Sequence, residues 1–339
     1  MRVFIYEYVT GGGMWREDSS VPPSGSLLAE GSAMIRALAA DFLKCDGTQV
    51  WALRDERLKH FQLPGCSVRA VASAKQEQAA LCELSADADW TVLIAPEFDN
   101  ILLRRCLQVE SCGARLLSPP SAMIAEAADK HRTAQLLKAA GVPTPESALL
   151  QRGQRLPCNF PYPAVLKPRD GAGSLGVQFV SDADFAYEEA PIRSDLRLER
   201  FCAGMPASVA MLCGPGQFVT LPACRQRLTG DGRFQYLGGS LPLPKQFGER
   251  AAGLARSAIR ALPPAVGYVG VDLVLGDDSQ GRDDVVIEVN PRLTTSYVGL
   301  RASARTNLAA AMIEFACGRQ IGLSFEDQPI KFNALGVVQ

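Results

Sequence analysis

Histidine is nearly missing from this 339-residue chain, which carries only His60 and His131. A histidine-rich metal centre is thereby excluded, and both rings read as surface or packing residues. Its ten cysteines include no C-x-x-C pair and lie scattered through apparent helices and strands. They read as reduced thiols of a cytoplasmic protein, neither a disulfide frame nor a zinc site. An excess of one charge is lacking too: 35 basic residues against 36 acidic ones leave a net charge of −1, without a long basic run. That argues against a nucleic acid or a membrane surface as principal partner. No apolar stretch reaches membrane-spanning length, no signal peptide is evident, and no internal repeat is visible. Nor is there a plausible Ser-His-Asp or Cys-His constellation for covalent catalysis. What is present, 47% hydrophobic and 21% charged residues, describes an ordinary globular composition. The length implies two or three domains.

The most informative stretch runs from Gly267 to Arg301. Gly267–Leu275 and Asp284–Asn290 read as two strands joined by a Gly/Asp/Ser-rich loop. Alternation puts Glu288 and Asn290 on one face and Ile287 and Val289 on the other. Asp272 interrupts the apolar partner strand, where a charge is expensive unless compensated. Two carboxylates and an amide oxygen on facing strands are hard ligands suited to Mg²⁺, or to Mn²⁺, with substrate phosphates and water completing the shell. The sequence therefore predicts a metal–phosphate site.

At the amino terminus, Arg2–Tyr8 reads as a strand that meets Thr10-Gly11-Gly12-Gly13, and a helix is expected from about Leu27 to Leu43. The spacing is not that of a dinucleotide fingerprint, so Gly11 and Gly12 read as a close-packed or substrate-facing turn. Val50–Leu53, Trp90–Ala95 and Arg115–Leu117 are expected as further strands of a parallel sheet flanked by helices. Glu97, beyond the end of one strand, and Glu7, inside the first, are ligand candidates or structural ion pairs. A boundary is expected at Ser118-Pro119-Pro120.

One helix is then expected over Ser121–Ala140, carrying Lys130. AVLKP follows as a strand ending in Lys167, and Arg169–Gly176 as a glycine-rich loop before another strand at Val177–Val180. A Walker A loop or a Rossmann turn would open a helix. Strand, glycine loop and strand instead make a hairpin, read either as a flap whose N–H groups meet phosphates or as an ordinary glycine-rich turn. Lys130 and Lys167 would add charge to the same phosphates. The strand Arg197–Phe201 and the connector after it could offer backbone groups to an adenine edge. Gln217–Arg227 and Arg233–Leu243 continue an antiparallel pattern, with helices near Phe247–Leu262 and Thr306–Ala316.

In that order, Lys130, AVLKP with its glycine loop, Glu199, Asp272 and Glu288-x-Asn290-Pro291-Arg292 resemble the ATP-grasp superfamily over about residues 118–317. The opening EYVTGGG, the phrase APEFD and above all NPRLTTSYVGLR are similar to the tyramine–glutamate ligases of methanofuran biosynthesis, or to a bacterial relative acting on a related furan cofactor. The fold implied is α/β, α+β in its carboxyl-terminal part, with a Rossmann-like pre-ATP-grasp domain (1–117), a small subdomain with the flap (118–190) and a large subdomain with the metal site (191–339). The activity implied is an ATP-dependent carboxylate–amine ligase joining glutamate to a tyramine- or tyrosine-like amine through an acyl phosphate, with no nucleic acid or membrane partner and a homodimer left open.

The resemblance also implies residue roles. Lys130, Lys167, Gly171, Gly173, Ser174 and Gly176 would meet the phosphates, and Glu199, Arg200, Phe201 and Cys202 the adenine. Asp272, Glu288 and Asn290 would hold the metal, and Arg292 would face the transferred phosphoryl group. For the substrates, Arg225 and the hydroxyl-rich loop Thr294-Thr295-Ser296-Tyr297 are the candidates. Met205-Pro206 stands where the superfamily often has a ribose-binding carboxylate. A glutamate chain-extending ligase and an ATP-binding regulatory protein without turnover remain the alternatives, with a nicotinamide oxidoreductase a remote one.

Overall fold

The computed structural model describes residues 1–16, 21–151, 153–187 and 195–339. The first unit is α/β. β1 (Arg2–Glu7), β2 (Gln49–Asp55), β3 (Ser67–Val71) and β4 (Trp90–Ile94) form a parallel sheet in the order β3-β2-β1-β4. Helices α1 (Ser26–Phe42), α2 (Ala74–Asp87) and α3 (Ile101–Ser111) connect them and cover the sheet. All five residues of β4 are buried, which is why this strand reads as a nearly continuous apolar run without alternation. The strand expected at Arg115–Leu117 is reduced to a single parallel bridge between Thr91 and Leu116.

The helix expected over Ser121–Ala140 is two helices, α4 (Ser121–Ala127) and α5 (Lys130–Ala139). Asp129 makes the break. Its backbone is extended (φ −94°, ψ 101°), and its carboxylate caps α5 by accepting the N–H groups of His131 and Arg132 at 3.0 and 3.1 Å. The same carboxylate accepts Arg169 Nε and Nη2 at 2.9 and 2.6 Å. Lys130 thus opens a helix that is tied to the base of the glycine loop.

Next come β5 (Ser147–Leu150), β6 (Ala164–Pro168), β7 (Gln178–Val180) and β8 (Leu196–Arg200), an antiparallel sheet in the order β5-β8-β6-β7. The expected division at 190/191 lies outside the described residues, and β8, beyond it, is an interior strand of this small sheet. β9 (Met205–Gly214), β10 (Gln217–Thr220), β11 (Cys224–Leu228), β12 (Tyr236–Leu241), β13 (Gly267–Leu275), β14 (Val285–Asn290) and β15 (Ile330–Asn333) form a larger sheet in the order β14-β13-β9-β11-β12-β15, with β10 also on β9. The run expected at Gln217–Arg227 is two strands, split around Pro222, which has no N–H for a ladder. Helices α6 (Lys245–Arg260), α7 (Ser296–Ser303) and α8 (Leu308–Ala316) complete the described fold.

One hydrophobic core runs without a break from the parallel sheet (Val3, Ile5, Ile94) through α1 (Ile35, Leu38) into the large sheet and its helices (Leu212, Tyr268, Tyr297, Met312). Within it, Asp41 of α1 is 5% exposed. Its carboxylate accepts the Tyr297 hydroxyl at 2.8 Å and Arg301 Nε and Nη2 at 2.8 and 2.5 Å, all from α7. Removing one partner of such a pair strands the other's charge in the core. Asp41→Ala should therefore cost about 3 kcal/mol in urea denaturation, whereas Glu126→Ala, which frees the more exposed Arg132, should cost under ~1 kcal/mol. Equal losses from both variants would refute the α1–α7 tie.

Candidate functional site

A cleft opens between the small sheet and the large one, closed at its side by α1 and the amino-terminal end of α5. Its large-sheet wall carries the acidic residues. Asp272 of β13 stands opposite Glu288 of β14, and Gly270 opposite Asn290. Just beyond Asp272 the register shifts, so that Leu273 pairs with Val286 and Ile287 is the extra residue. Alternation would turn Ile287 away with Val289. The bulge instead brings Ile287 to the cleft, while Val289 stays in the core. Gly270 has no side chain because a Cβ there would lie 2.7 Å from Thr294 Cγ2, in the loop that crosses above it.

Asp272 accepts Gln226 Nε2 at 2.8 Å and Asn290 Nδ2 at 2.9 Å. Burial, reinforced by the charge of Glu288, pushes its carboxyl up to about 7. For Glu288 burial acts in the same direction, but the charges of Lys130 and then Lys167 outweigh it and hold the group below the usual range. Among the described residues no three His, Cys, Asp or Glu side chains cluster as a metal set. What is present is two hard carboxylates plus the amide of Asn290, whose carbonyl oxygen is the group it would offer. A carboxyl pushed up to about 7 by its burial, with a second carboxylate adding to the rise, is short of positive charge, so this donor set fits a hard divalent cation with its other ligands supplied by substrate and water.

The lysines face these acids from the other side. Lys130 Nζ lies 3.0 Å from Glu288 Oε2 and donates to the Gly171 carbonyl at 2.8 Å. Lys167 Nζ lies 2.6 Å from Glu199 Oε2, both side chains being 5% exposed. Glu199 also accepts Arg197 Nε at 2.5 Å, and Arg197 Nη1 lies 3.1 Å from His131 Nδ1. Desolvation lowers the Lys130 ammonium, but Glu288 and Glu97 raise it further, so it is charged at neutral pH. Glu199, expected beside an adenine, is thus a partner of Lys167 at the cleft wall.

In that connector the N–H groups of Arg200 and Phe201 are already bonded to the carbonyls of Glu146 and Pro163. Among the described contacts the Cys202 N–H is unengaged. Phe201 meets Phe179 edge-on at 5.3 Å and Phe234 in a stack at 6.3 Å, giving the cleft an aromatic end. The loop Gly171–Gly176 folds over it. Gly173 and Gly176 have φ of 64° and 73°, and Ser174, at 57°, holds a left-handed backbone that glycine adopts more readily. Ser174 Oγ donates to the Phe234 carbonyl at 2.8 Å, tying the loop to the large sheet.

The expected substrate residues divide. Arg292, Thr294, Thr295 and Ser296 come together around the cleft. Arg292 forks onto Glu97 at 2.8 and 3.1 Å, a contact between residues 195 positions apart. Arg225 is exposed and points away from the cleft; its neighbour Gln226 faces in, since successive strand side chains alternate. Tyr297 does not reach the cleft either: the expected loop turns into α7 at Ser296, and Tyr297 is fully buried on Asp41. Glu7 is buried, accepting Val9 N–H at 3.2 Å and Thr10 N–H at 2.6 Å, and it organises the Gly11–Gly12 turn. A Cβ on Gly11 would lie 2.5 Å from the Glu7 carbonyl, and one on Gly12 2.5 Å from Val71. These glycines meet a need of packing, and neither borders the cleft.

Sequence reasoning passed over Glu30, Gln226, Phe234 and Tyr236, all of which line the cleft. The alternation beside Arg225 was the available signal for Gln226. Nothing local marks Glu30, one of two acids in a largely apolar helix.

A two-sheet cleft with opposed lysines and carboxylates beneath a glycine flap defines a nucleotide-binding fold of one kind, and the comparisons agree. The description of the ATP-grasp domain matches residues 127–296 and that of the pre-ATP-grasp 3 domain residues 48–124, so the chain belongs to the ATP-grasp family. It is similar to the tyramine–L-glutamate ligase of Methanocaldococcus fervens, at 24% identity over 98% of this chain and 99% of that protein. The corresponding ligase of Methanocaldococcus jannaschii is 25% identical over 98% and 94%. A solved ATP-grasp superfamily protein of Archaeoglobus fulgidus superposes with a TM-score of 0.71 at 21% identity, over 98% of this chain and 91% of that one. The expected family and fold are borne out. Among the described residues no helix is long and apolar enough to cross a membrane.

The Asp272 carboxyl sets a pH test. An acid raised in the fold favours the protonated form, so its contribution to stability is full below its ordinary value near 3.8 and is lost as pH rises towards about 7. In chelator, Asp272→Asn should become more stable relative to wild type between pH 5 and pH 8, measured by urea midpoints, and added Mg²⁺ should narrow the gap. A gap that does not move with pH would contradict the placement of Asp272.

Proposed function

We propose that this ATP-grasp enzyme is an ATP-dependent ligase that activates a carboxylate of glutamate and joins it to an aromatic amine such as tyramine or tyrosine, in the making of a furan-type one-carbon carrier. The observation that carries the reading is the opposed arrangement of Lys130 and Lys167 against Asp272 and Glu288 under the Gly171–Gly176 flap. The ligase chemistry goes with the family. The two substrates rest on likeness to relatives named for tyramine and glutamate over nearly their full length.

The chemistry explains the residue types. A carboxylate is a poor electrophile, so its oxygen must become a leaving group. The γ-phosphoryl group passes to a carboxylate oxygen as its bond to the ADP oxygen breaks, giving an acyl phosphate. The neutral amine nitrogen then attacks the acyl carbon, the C–N bond forms, phosphate departs with the C–O electron pair, and the proton lost by the nitrogen goes to the released phosphate or to solvent.

Positioning and charge neutralisation dominate such transfers. Lys130 and Lys167, now held by Glu288, Glu199 and the Gly171 carbonyl, can turn to phosphate oxygens when a nucleotide enters. Asp272, Glu288 and Asn290 would hold Mg²⁺, or Mn²⁺, which would neutralise phosphate charge. The Cys202 N–H and the phenyl rings of Phe179, Phe201 and Phe234 suit a base edge and its face. Arg292 would stabilise the transferred group, and its fork on Glu97 sets its position. The flap keeps water from the acyl phosphate.

Mg²⁺-dependent ADP release with glutamate and a panel of amines, with products read by mass spectrometry, tests the reading. A single glutamyl–aromatic adduct is expected. A ladder of glutamate additions would replace it with chain extension, and ATP binding without ADP release for any amine would overturn it. Glu288→Gln should lower kcat on the order of 10²-fold in protein that still melts cooperatively.

A further inference from the structure

Among the described residues, the carboxylates that line the cleft are each held by a cation or by two N–H donors, with one exception. Glu288 is paired with Lys130 at 3.0 Å, Glu199 with Lys167 at 2.6 Å and Glu97 with both prongs of Arg292 at 2.8 and 3.1 Å. Asp272 accepts two amide N–H groups and Glu7 two backbone ones. Glu30, on α1, lines the cleft, and among the described residues its one hydrogen bond comes from a neutral hydroxyl, Thr295 Oγ1, at 3.3 Å.

The surroundings sharpen the exception. Burial pushes the Glu30 carboxyl up, and only the charge of Arg292 and the Thr295 hydroxyl oppose it. The guanidinium of Arg292 is engaged with Glu97. Tyr236 stands near enough to Glu30 and to Asp272 to feel both charges, so Glu30 borders the same chamber as the proposed metal ligands. A half-buried carboxylate at the cleft wall, with no ion pair among the described residues, is compensated most directly by a cationic ligand.

We propose that Glu30 receives the primary ammonium group of a substrate, and so selects substrates that carry one. The inference rests on the ligase reading for the identity of that substrate, since both glutamate and the amine bring an ammonium. It does not rest on it for the chemistry. A carboxylate and a neighbouring threonine hydroxyl make a short, charge-assisted cradle for a group with three N–H donors.

Equilibrium binding to the full chain, with Mg²⁺ and a non-hydrolysable ATP analogue present, provides the test. The probes are glutamate and tyramine, each beside its ammonium-free counterpart, glutarate and 4-(2-hydroxyethyl)phenol. Glu30→Gln keeps the side-chain volume and a hydrogen-bonding partner for Thr295. It should weaken one ammonium probe about tenfold or more, leaving that probe's counterpart, the nucleotide affinity and the melting temperature unchanged. Loss on glutamate assigns the ammonium to the acyl donor, and loss on tyramine assigns it to the acceptor. Wild-type affinity of the variant for both ammonium probes, equal losses on the ammonium-free pair, or a wild type that binds neither ammonium probe would overturn the proposal. ADP release measured in parallel keeps the two ideas apart. A wild type that binds an ammonium probe without turnover counts against the ligase reading, while Glu30 is still judged by the binding data.

Discussion

The structure depends on opposite charges held face to face in the cleft between two sheets. Lys167 comes from the small sheet, Lys130 from the start of α5 and Glu288 from the large sheet, with Glu199 beside Lys167. Charges taken this far from water are tolerated because each finds a partner within about 3 Å. Such pairs are poor sources of net stability, and packed apolar residues would serve a mere fold as well. On the ligase proposed above, these internal partners would be exchanged for phosphates and a cation. The protein spends binding potential on readiness.

The rest of the architecture holds those charges in register. Asp129 caps the helix that begins with Lys130 and grips Arg169 at the base of the glycine loop, so one carboxylate positions both the lysine that meets Glu288 and the loop above it. The bulge at Ile287 leaves Asp272 opposite Glu288 while adding an apolar side chain to the cleft. On the substrate side, Asp41 anchors α7 through Tyr297 and Arg301, and α7 begins where the hydroxyl-rich loop ends. Glu97 then sets Arg292 from the parallel sheet. The amino-terminal unit is therefore part of the site, through α1 and the residues that follow β4, and it shares a continuous core with the large sheet.

Much of this was legible locally. β13 was expected at Gly267–Leu275 and occupies those residues, and the flap hairpin could be told from a P-loop because a strand and not a helix follows it. The misplacements have local physical causes. One capping aspartate divided an apparently continuous helical pattern. A shift of one residue exchanged Arg225 for Gln226 at the cleft, since neighbouring strand residues face opposite ways. Tyr297 belonged to a helix start in place of a loop, and burial on Asp41 took it out of reach.

By itself, the sequence determined the element types over most of the chain, the family, and the residue kinds its chemistry needs. Those follow from short-range periodicity, glycine placement and the order of charged residues along strands. Only the tertiary structure decided which charges share a chamber. Glu97 and Arg292 are 195 residues apart, and Glu30 and Thr295 265 apart, and no local pattern encodes a contact across such a separation. That pairing leaves Glu30 as a cleft carboxylate whose one hydrogen bond among the described residues comes from a neutral hydroxyl, because partnership is a property of the folded neighbourhood and not of the residue.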